Sequence, residues 1–185
     1  MRLAPLLVTA ALAAGCTTTV AGSPSAPTGV LLPPRPREVR LDGVDPCSLL
    51  TAEQRRTLGL TSEPLLSNSR VELFDGDVPT CTVRGSGPSA VVLGIGTVTT
   101  VGIERWQDPA LQAEVRPTRV ADFPAVVAVP SNSRTYCGVG VDVAPGQLLD
   151  VQVLDGGYST PIPQPTLCDR AEEYAAATMR TLLMS

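Results

Sequence analysis

The sequence predicts an α+β domain: a mostly antiparallel sheet of about six or seven strands, an N-terminal and a C-terminal helix, and two disulfides. Three observations predict it. Helix-start signals occur near residue 45 and again near residue 165, and between them apolar residues recur at every second position. No βαβ alternation interrupts that run, so the strands have no helical crossovers to make them parallel. Four cysteines divide evenly between helix starts and strands.

Residues 1–15 precede the domain and read as a signal peptide. Arg2 supplies a positive charge, and Leu3 to Ala14 is apolar over about 12 residues, shorter than the roughly 20 a membrane helix needs. Leu12-Ala13-Ala14-Gly15-Cys16 closes that run with small residues and a cysteine, the pattern of a bacterial lipoprotein leader. Cys16 is then the lipid attachment site and the mature N-terminus. An ordinary signal peptide cut after Ala-x-Ala is the other reading, and it leaves Cys16 without lipid.

Residues 16–40 form a Pro-, Ser- and Thr-rich tether with five prolines, Pro24, Pro27, Pro33, Pro34 and Pro36. Too little apolar surface is available there to fold, and proline favours an extended, solvated backbone. At roughly 3 Å per residue, two dozen residues reach at most about 70 Å.

The folded domain is expected over 41–185. Asp45 caps a short turn with Pro46 at its first position, where the missing N–H costs nothing. Thr51 and Gln54 make a capping box for a helix over 52–58, and Gly59 stops it. Strands are expected at 71–74 (ending at the turn Asp75-Gly76), at 80–84, and at 90–98, where Val91, Leu93, Ile95 and Thr97 share one face. Gly94 and Gly96 on the opposite face read as close packing by a neighbouring element; they lack the third glycine and helix of a phosphate-binding loop. Residues 101–113 read as one helical turn with loop around Trp106, the lone tryptophan, and two strands follow near 114–120 and 124–129. Cys137, Val139, Val141 and Val143 alternate with small or polar residues, and Leu149, Val151 and Val153 repeat the pattern after Pro145-Gly146, which makes a hairpin. The last helix is expected to be capped by Thr166, with Asp169 in its first turn and Leu167, Ala171, Tyr174, Ala175, Thr178 and Leu182 on one face.

Composition excludes much. The chain has 14 basic residues, all arginine, and no histidine. This removes the usual general base, the commonest metal ligand, the Schiff-base amine and the phosphate-loop lysine together. Loss of Arg2 with the leader leaves 13 arginines against 18 acids, a net charge of −5. With no basic cluster, neither nucleic acid nor a polybasic membrane contact is supported.

Cysteine usage points the same way as the leader. Five cysteines less Cys16 leave Cys47, Cys81, Cys137 and Cys168, an even set suited to an oxidising compartment. Of three possible connectivities, Cys47–Cys81 with Cys137–Cys168 is favoured, because each joins a helix start to a strand nearby in sequence. Each such bridge contributes about 4 kcal/mol on chain-entropy grounds. A redox pair is the other reading, but the chain contains no Cys-x-x-Cys.

Asp45-Pro46-Cys47-Ser48-Leu49-Leu50-Thr51, the strand cysteine Cys81, Phe123-Pro124-Ala125, Cys137 in a Cys-x-Val-x-Val strand, and Cys168 opening an Ala-rich last helix occur together. In this combination the chain resembles the actinobacterial lipoproteins catalogued as domain of unknown function 3558, over about residues 41–184 plus the leader. The family often has tryptophan two residues after its second cysteine, where this chain has Val83. The resemblance implies export, a lipid anchor and disulfides, and it lends no catalytic residues.

Candidate chemistry is sparse. Asp75 and Asp77 flank Gly76 and could offer oxygens to calcium, though a full loop needs further ligands and a solvated turn explains them. Ser86 and Ser89 sit among glycines without the pattern or histidine of a nucleophile elbow. Glu172 and Glu173 are adjacent on a helix and diverge. Trp106 with Tyr136 or Tyr158 could line a ligand cleft or belong to the core. No catalytic residue, metal site or cofactor is assigned.

The expected function is that of a non-catalytic extracytoplasmic lipoprotein, held at the cell membrane through Cys16, that binds an envelope protein or component. A lipid or small-molecule carrier with a pocket beside the sheet is one alternative, and a carboxylate-dependent hydrolase another.

Overall fold

A computed structural model describes residues 31–185 apart from 109, 158 and 159. The leader, Cys16 and the start of the proposed tether lie outside the described residues, as does Tyr158.

The N-terminal part follows its capping signals. Asp45 accepts a hydrogen bond from the Cys47 N–H at 2.8 Å and opens a 3-10 turn, Pro46–Leu49. Helix α1 spans Ala52–Thr57 inside a complete capping box: Gln54 N–H donates to Thr51 Oγ1, and Thr51 N–H donates to Gln54 Oε1. Gly59, at φ +72°, turns the chain out of it.

Seven strands follow: β1 (Leu65–Val71), β2 (Gly76–Arg84), β3 (Val91–Val98), β4 (Ala113–Val120), β5 (Phe123–Pro130), β6 (Tyr136–Ala144) and β7 (Gln147–Asp155). They form one sheet in the order β1-β2-β3-β7-β6-β5-β4, every neighbouring pair antiparallel. The strand expected at 71–74 is instead the end of β1 followed by a 3-10 turn, Glu72–Phe74, with Asp75 at φ +56°. β1 is rich in serine and asparagine and lacks an alternating apolar pattern; its pairing to β2 along the sheet edge supplies what its sequence does not.

Turn chemistry fixes the hairpins. Pro145-Gly146, with Gly146 at φ +68°, joins β6 to β7. Ala121 and Asp122 both have positive φ, +48° and +69°, and so twist the β4–β5 link to match its strands.

Helix α2 runs Gln164–Met184, two residues earlier than its expected cap. Pro163 occupies the N-cap and its carbonyl accepts from the Leu167 N–H at 3.1 Å; Thr166 lies inside the helix, and the first turn holds no acidic residue. Pro165 sits early enough for its fixed φ and absent N–H to suit a helix start, so the helix begins before Thr166.

One sheet face and α2 enclose the main core: Leu93, Ile95, Val139, Val141, Val151 and Val153 meet Leu167, Ala171, Ala175 and Met179. Val83 is buried there. The bridges Cys47–Cys81 and Cys137–Cys168 fasten the 3-10 turn to β2 and α2 to β6, the favoured pairing. Among the described residues the opposite face carries no α-helix. The link from β3 to the far edge strand β4 crosses it instead, and its 3-10 turn Ile103–Gln107 buries Ile103 and Trp106 with Phe74, Val78, Val98, Val126, Ala128 and Leu148.

Before β1 the chain already lies on the domain. Leu32 packs against that second cluster, Arg35 pairs with Asp142, and the Val39 N–H donates to Val143 O at 2.8 Å.

Candidate functional site: a trough around Asp150

Strand periodicity places Asp150 and Gln152 on the helix-free face of β7. Register then gives each the same neighbours. Asp150 lies between Gly96 of β3 and Gly140 of β6, and Gln152 between Gly94 and Gly138. Two polar side chains thus stand in a strip from which both flanking strands have removed their Cβ atoms. Thr80 and Thr82 of β2, and Ser67 and Ser69 of β1, complete a trough of about 210 Å³ on the β1 side.

The glycines divide the strip into a closed and an open half. A Cβ on Gly140 would stand 2.7 Å from Trp106 Nε1, and one on Gly138 would stand 2.8 Å from the Tyr136 hydroxyl. Those aromatics fill the β6 side. On the β3 side, Gly96 is close to Val78 Cγ1 (3.2 Å), as its packing reading expects. Gly94 is not so crowded; its nearest neighbours, Gln152 Cβ at 3.8 Å and Thr80 Cγ2 at 4.0 Å, are at ordinary contact, so its missing side chain opens the trough.

Asp150 is 3 % exposed, and its two oxygens are treated differently. Oδ2 accepts from Gln152 Nε2 at 2.6 Å, whereas Oδ1 is buried without a hydrogen-bond partner. Burial pushes the carboxyl up to about 7, against a smaller opposing effect of the Gln152 hydrogen bond. The Tyr136 phenol is raised too, by burial first and then by the Asp150 charge. Asp142, also on this face of β6, shows the ordinary arrangement: burial raises its carboxyl, but the Arg35 guanidinium opposes the shift and forms an ion pair. A buried carboxyl normally has such a partner. Asp150 has only a carboxamide.

The residues singled out in the sequence lie elsewhere, with one exception. Asp75 is exposed at its turn with Oδ1 3.4 Å from Arg105 Nη2, while Asp77 is exposed on β2; among the described residues no three His, Cys, Asp or Glu cluster as a metal site would require. Ser86 and Ser89 rim a separate surface hollow with Arg170, whose Nη1 donates to Ser89 O at 2.6 Å. Glu172 accepts from Arg116 Nη2 (3.0 Å) and Thr118 Oγ1 (2.8 Å), tying α2 to β4, and Glu173 is exposed. The exception is Trp106 with Tyr136, which stand over successive glycines of β6 beside the Asp150 row. Asp150 itself was not singled out, because an aspartate in the polar phase of an alternating strand ordinarily faces water. The available signal was the two Gly-x-Gly pairs, Gly94-x-Gly96 and Gly138-x-Gly140, in strands that flank the Asp150-x-Gln152 strand.

Fold and site together define a disulfide-stapled antiparallel α+β domain with a polar trough on its helix-free face. The chain belongs to the family described as Protein of unknown function (DUF3558), which matches residues 11–181. No curated protein and no solved structure matches it.

Proposed function

We propose that this is an exported lipoprotein of an actinobacterial envelope, acylated on Cys16, whose domain binds an envelope protein or component through the Asp150 trough without chemical turnover. One observation carries the reading: a nearly fully buried carboxyl with an unpartnered oxygen lines an open, glycine-walled trough. An apolar residue there would be cheaper for stability, since burying an uncompensated charge costs several kcal/mol. Such a group is more readily explained by a ligand than by the fold. Export is supported by two disulfides, which persist in oxidising compartments, and by a family match that begins at residue 11 and spans the Gly15-Cys16 junction.

The two alternatives have weaker support. A carrier needs an apolar cavity of several hundred Å³, and the hollows against α2, of about 260, 320 and 380 Å³, each admit charged side chains: Glu114 and Arg116, Glu53 and Arg180, and Arg170 and Glu173 respectively. A carboxylate-only hydrolase needs two acids facing one bond, and among the described side chains Asp150 is the one carboxylate lining the trough.

Two measurements test the proposal. The intact mass of membrane-extracted protein should show a chain that begins at Cys16 with added acyl groups, and a soluble full-length chain would overturn the anchor. A photo-crosslinker at Ser69, on the trough wall, should give adducts in membranes that disappear in Gly94→Val, which fills the trough. Adducts indifferent to Gly94→Val, or none at all, would overturn the binding site.

A further inference from the structure

What the trough offers a ligand follows from which hydrogen-bonding capacity its own residues have already used. Gln152 gives one Nε2 hydrogen to Asp150 and keeps the other, together with an acceptor, Oε1. The Thr80 hydroxyl donates to Val78 O at 3.1 Å, and the Ser67 hydroxyl to Thr80 O at 3.4 Å, so both retain lone pairs but not their protons. Asp150 Oδ1 has no partner. Donors remain as well, on the Ser69 and Thr82 hydroxyls and on Trp106 Nε1 behind Gly140, but the buried atom of the lining left without a partner is an acceptor on an ionisable carboxyl. The chain has no lysine, and among the described residues no arginine lines this trough.

A complementary group carries several donors and a positive charge. Guanidinium binds carboxylate best as a fork across both oxygens, but Oδ2 is already engaged by Gln152. An ammonium needs one carboxylate oxygen and further acceptors around it, since it is a compact charge with three donors. At about 210 Å³, and with each water-sized group needing roughly 30 Å³, the trough has room for such a head with a few carbons behind it.

We propose that the trough binds a primary ammonium group, seated on Asp150 Oδ1 with Gln152 Oε1 and the Thr80 hydroxyl oxygen as additional acceptors. This rests on the reading above that the trough is a binding site. Two sources share that chemistry: a free small amine, or a lysine side chain of a partner protein. Ammonium binding would stabilise the ionised carboxyl, so occupancy lowers the Asp150 proton affinity. Other ionisable groups on this face include Tyr136, Asp142 with its partner Arg35, Arg84 at the end of β2, Arg119 on β4, and Glu104 and Arg105 on the turn that carries Trp106.

The test follows the Asp150 carboxyl carbon and the Trp106 indole N–H by NMR in the isotope-labelled mature chain, held in detergent micelles. Methylammonium should give saturable shifts at both, with Kd on the order of millimolar. The same titration should be about tenfold or more weaker in Asp150→Asn and absent in Gly94→Val. The Asp150 titration midpoint should fall when the amine saturates. An N-acetylated, C-amidated Gly-Lys-Gly peptide, whose one primary ammonium is the lysine side chain, assigns the side-chain source if it binds at least as tightly; binding of methylammonium alone assigns a free amine. Three results would overturn the proposal: no saturable shift with either amine, equal shifts in Asp150→Asn, or erythritol binding as well as methylammonium, which would indicate a hydroxyl site. The two readings fail separately, because Ser69 adducts that amines do not compete away would leave the binding site standing and remove only its ligand class.

Discussion

Trp106 and Gly140 are fitted to each other: a Cβ on Gly140 would stand 2.6 Å from the indole Cδ1 and 2.7 Å from Nε1. The glycine lets the β3–β4 link lie flat on β6, and the indole closes one side of the Asp150 strip. Gly140→Ala must push the ring away, and overpacking of this kind costs about 1–3 kcal/mol. Urea unfolding followed by fluorescence of the lone tryptophan should show the lower midpoint, with an altered native spectrum.

Asp150 makes stability depend on pH in an unusual direction. Its folded value, about 7, lies above the ordinary carboxylate value of 3.8, so between these pH values the unfolded chain has lost a proton that the folded chain keeps. Folding is therefore progressively disfavoured as pH rises through that window, and the penalty is complete above it, at most roughly 4 kcal/mol. Asp42 and Asp155 act oppositely. Hydrogen bonds from Gln147 and Arg40 hold Asp42 low, and the Gly157 and Ile162 N–H groups hold Asp155 low, so both favour the fold above the carboxylate range and lose that effect as pH falls. Asp150→Asn should isolate the first effect. Thermal melts from pH 4 to about 8 should show the variant gaining on the parent as pH rises.

The two bridges should differ in what their loss releases. Replacing Cys137 and Cys168 with serine frees α2 from β6, and replacing Cys47 and Cys81 frees the 3-10 turn from β2. The sequence separations, 31 and 34, are nearly equal, so each pair should cost about 4 kcal/mol. Hydrogen exchange should show α2 amides losing protection selectively in the first variant.

Ala121 sits at φ +48°, where a Cβ is strained. Ala121→Gly relieves that strain while loosening the unfolded chain, for a net gain of about 0.5–1 kcal/mol. Denaturant unfolding should show a higher midpoint at unchanged slope.

Glu172 should matter less than its contacts with Arg116 and Thr118 suggest. Arg116 is half exposed, and screened pairs of this kind contribute about 0–1 kcal/mol. Glu172→Ala should shift the urea midpoint slightly, and added salt should narrow the difference.

Sequence reasoning succeeded where two residues close in sequence carry the structural instruction. Thr51 with Gln54, Asp45 with Pro46, and Pro145 with Gly146 each specify a local geometry that needs no distant partner. The valine alternation of β6 and β7 likewise reads directly, because both strands bury one face against α2. β1 escaped because Ser67-Asn68-Ser69-Arg70 has no apolar phase and becomes a strand only through β2. Thr166 misled for the opposite reason: it makes a good cap in isolation, but Pro163 and Pro165 start the helix earlier. The trough was legible only in halves. Gly94, Gly96, Gly138 and Gly140 were visible as alternation, but that they flank Asp150 is a property of the order β3-β7-β6, which local patterning does not encode.

The contact of Leu32, Arg35 and Val39 with the domain shortens the leash. If Cys16 is acylated, only about 16 residues, 16–31, remain to span from lipid to sheet, and fully extended they reach roughly 50 Å. The domain is then confined to a thin shell above the bilayer. Within such a shell a membrane-displayed partner is met at a local concentration near millimolar, so a site with only millimolar affinity would be occupied much of the time.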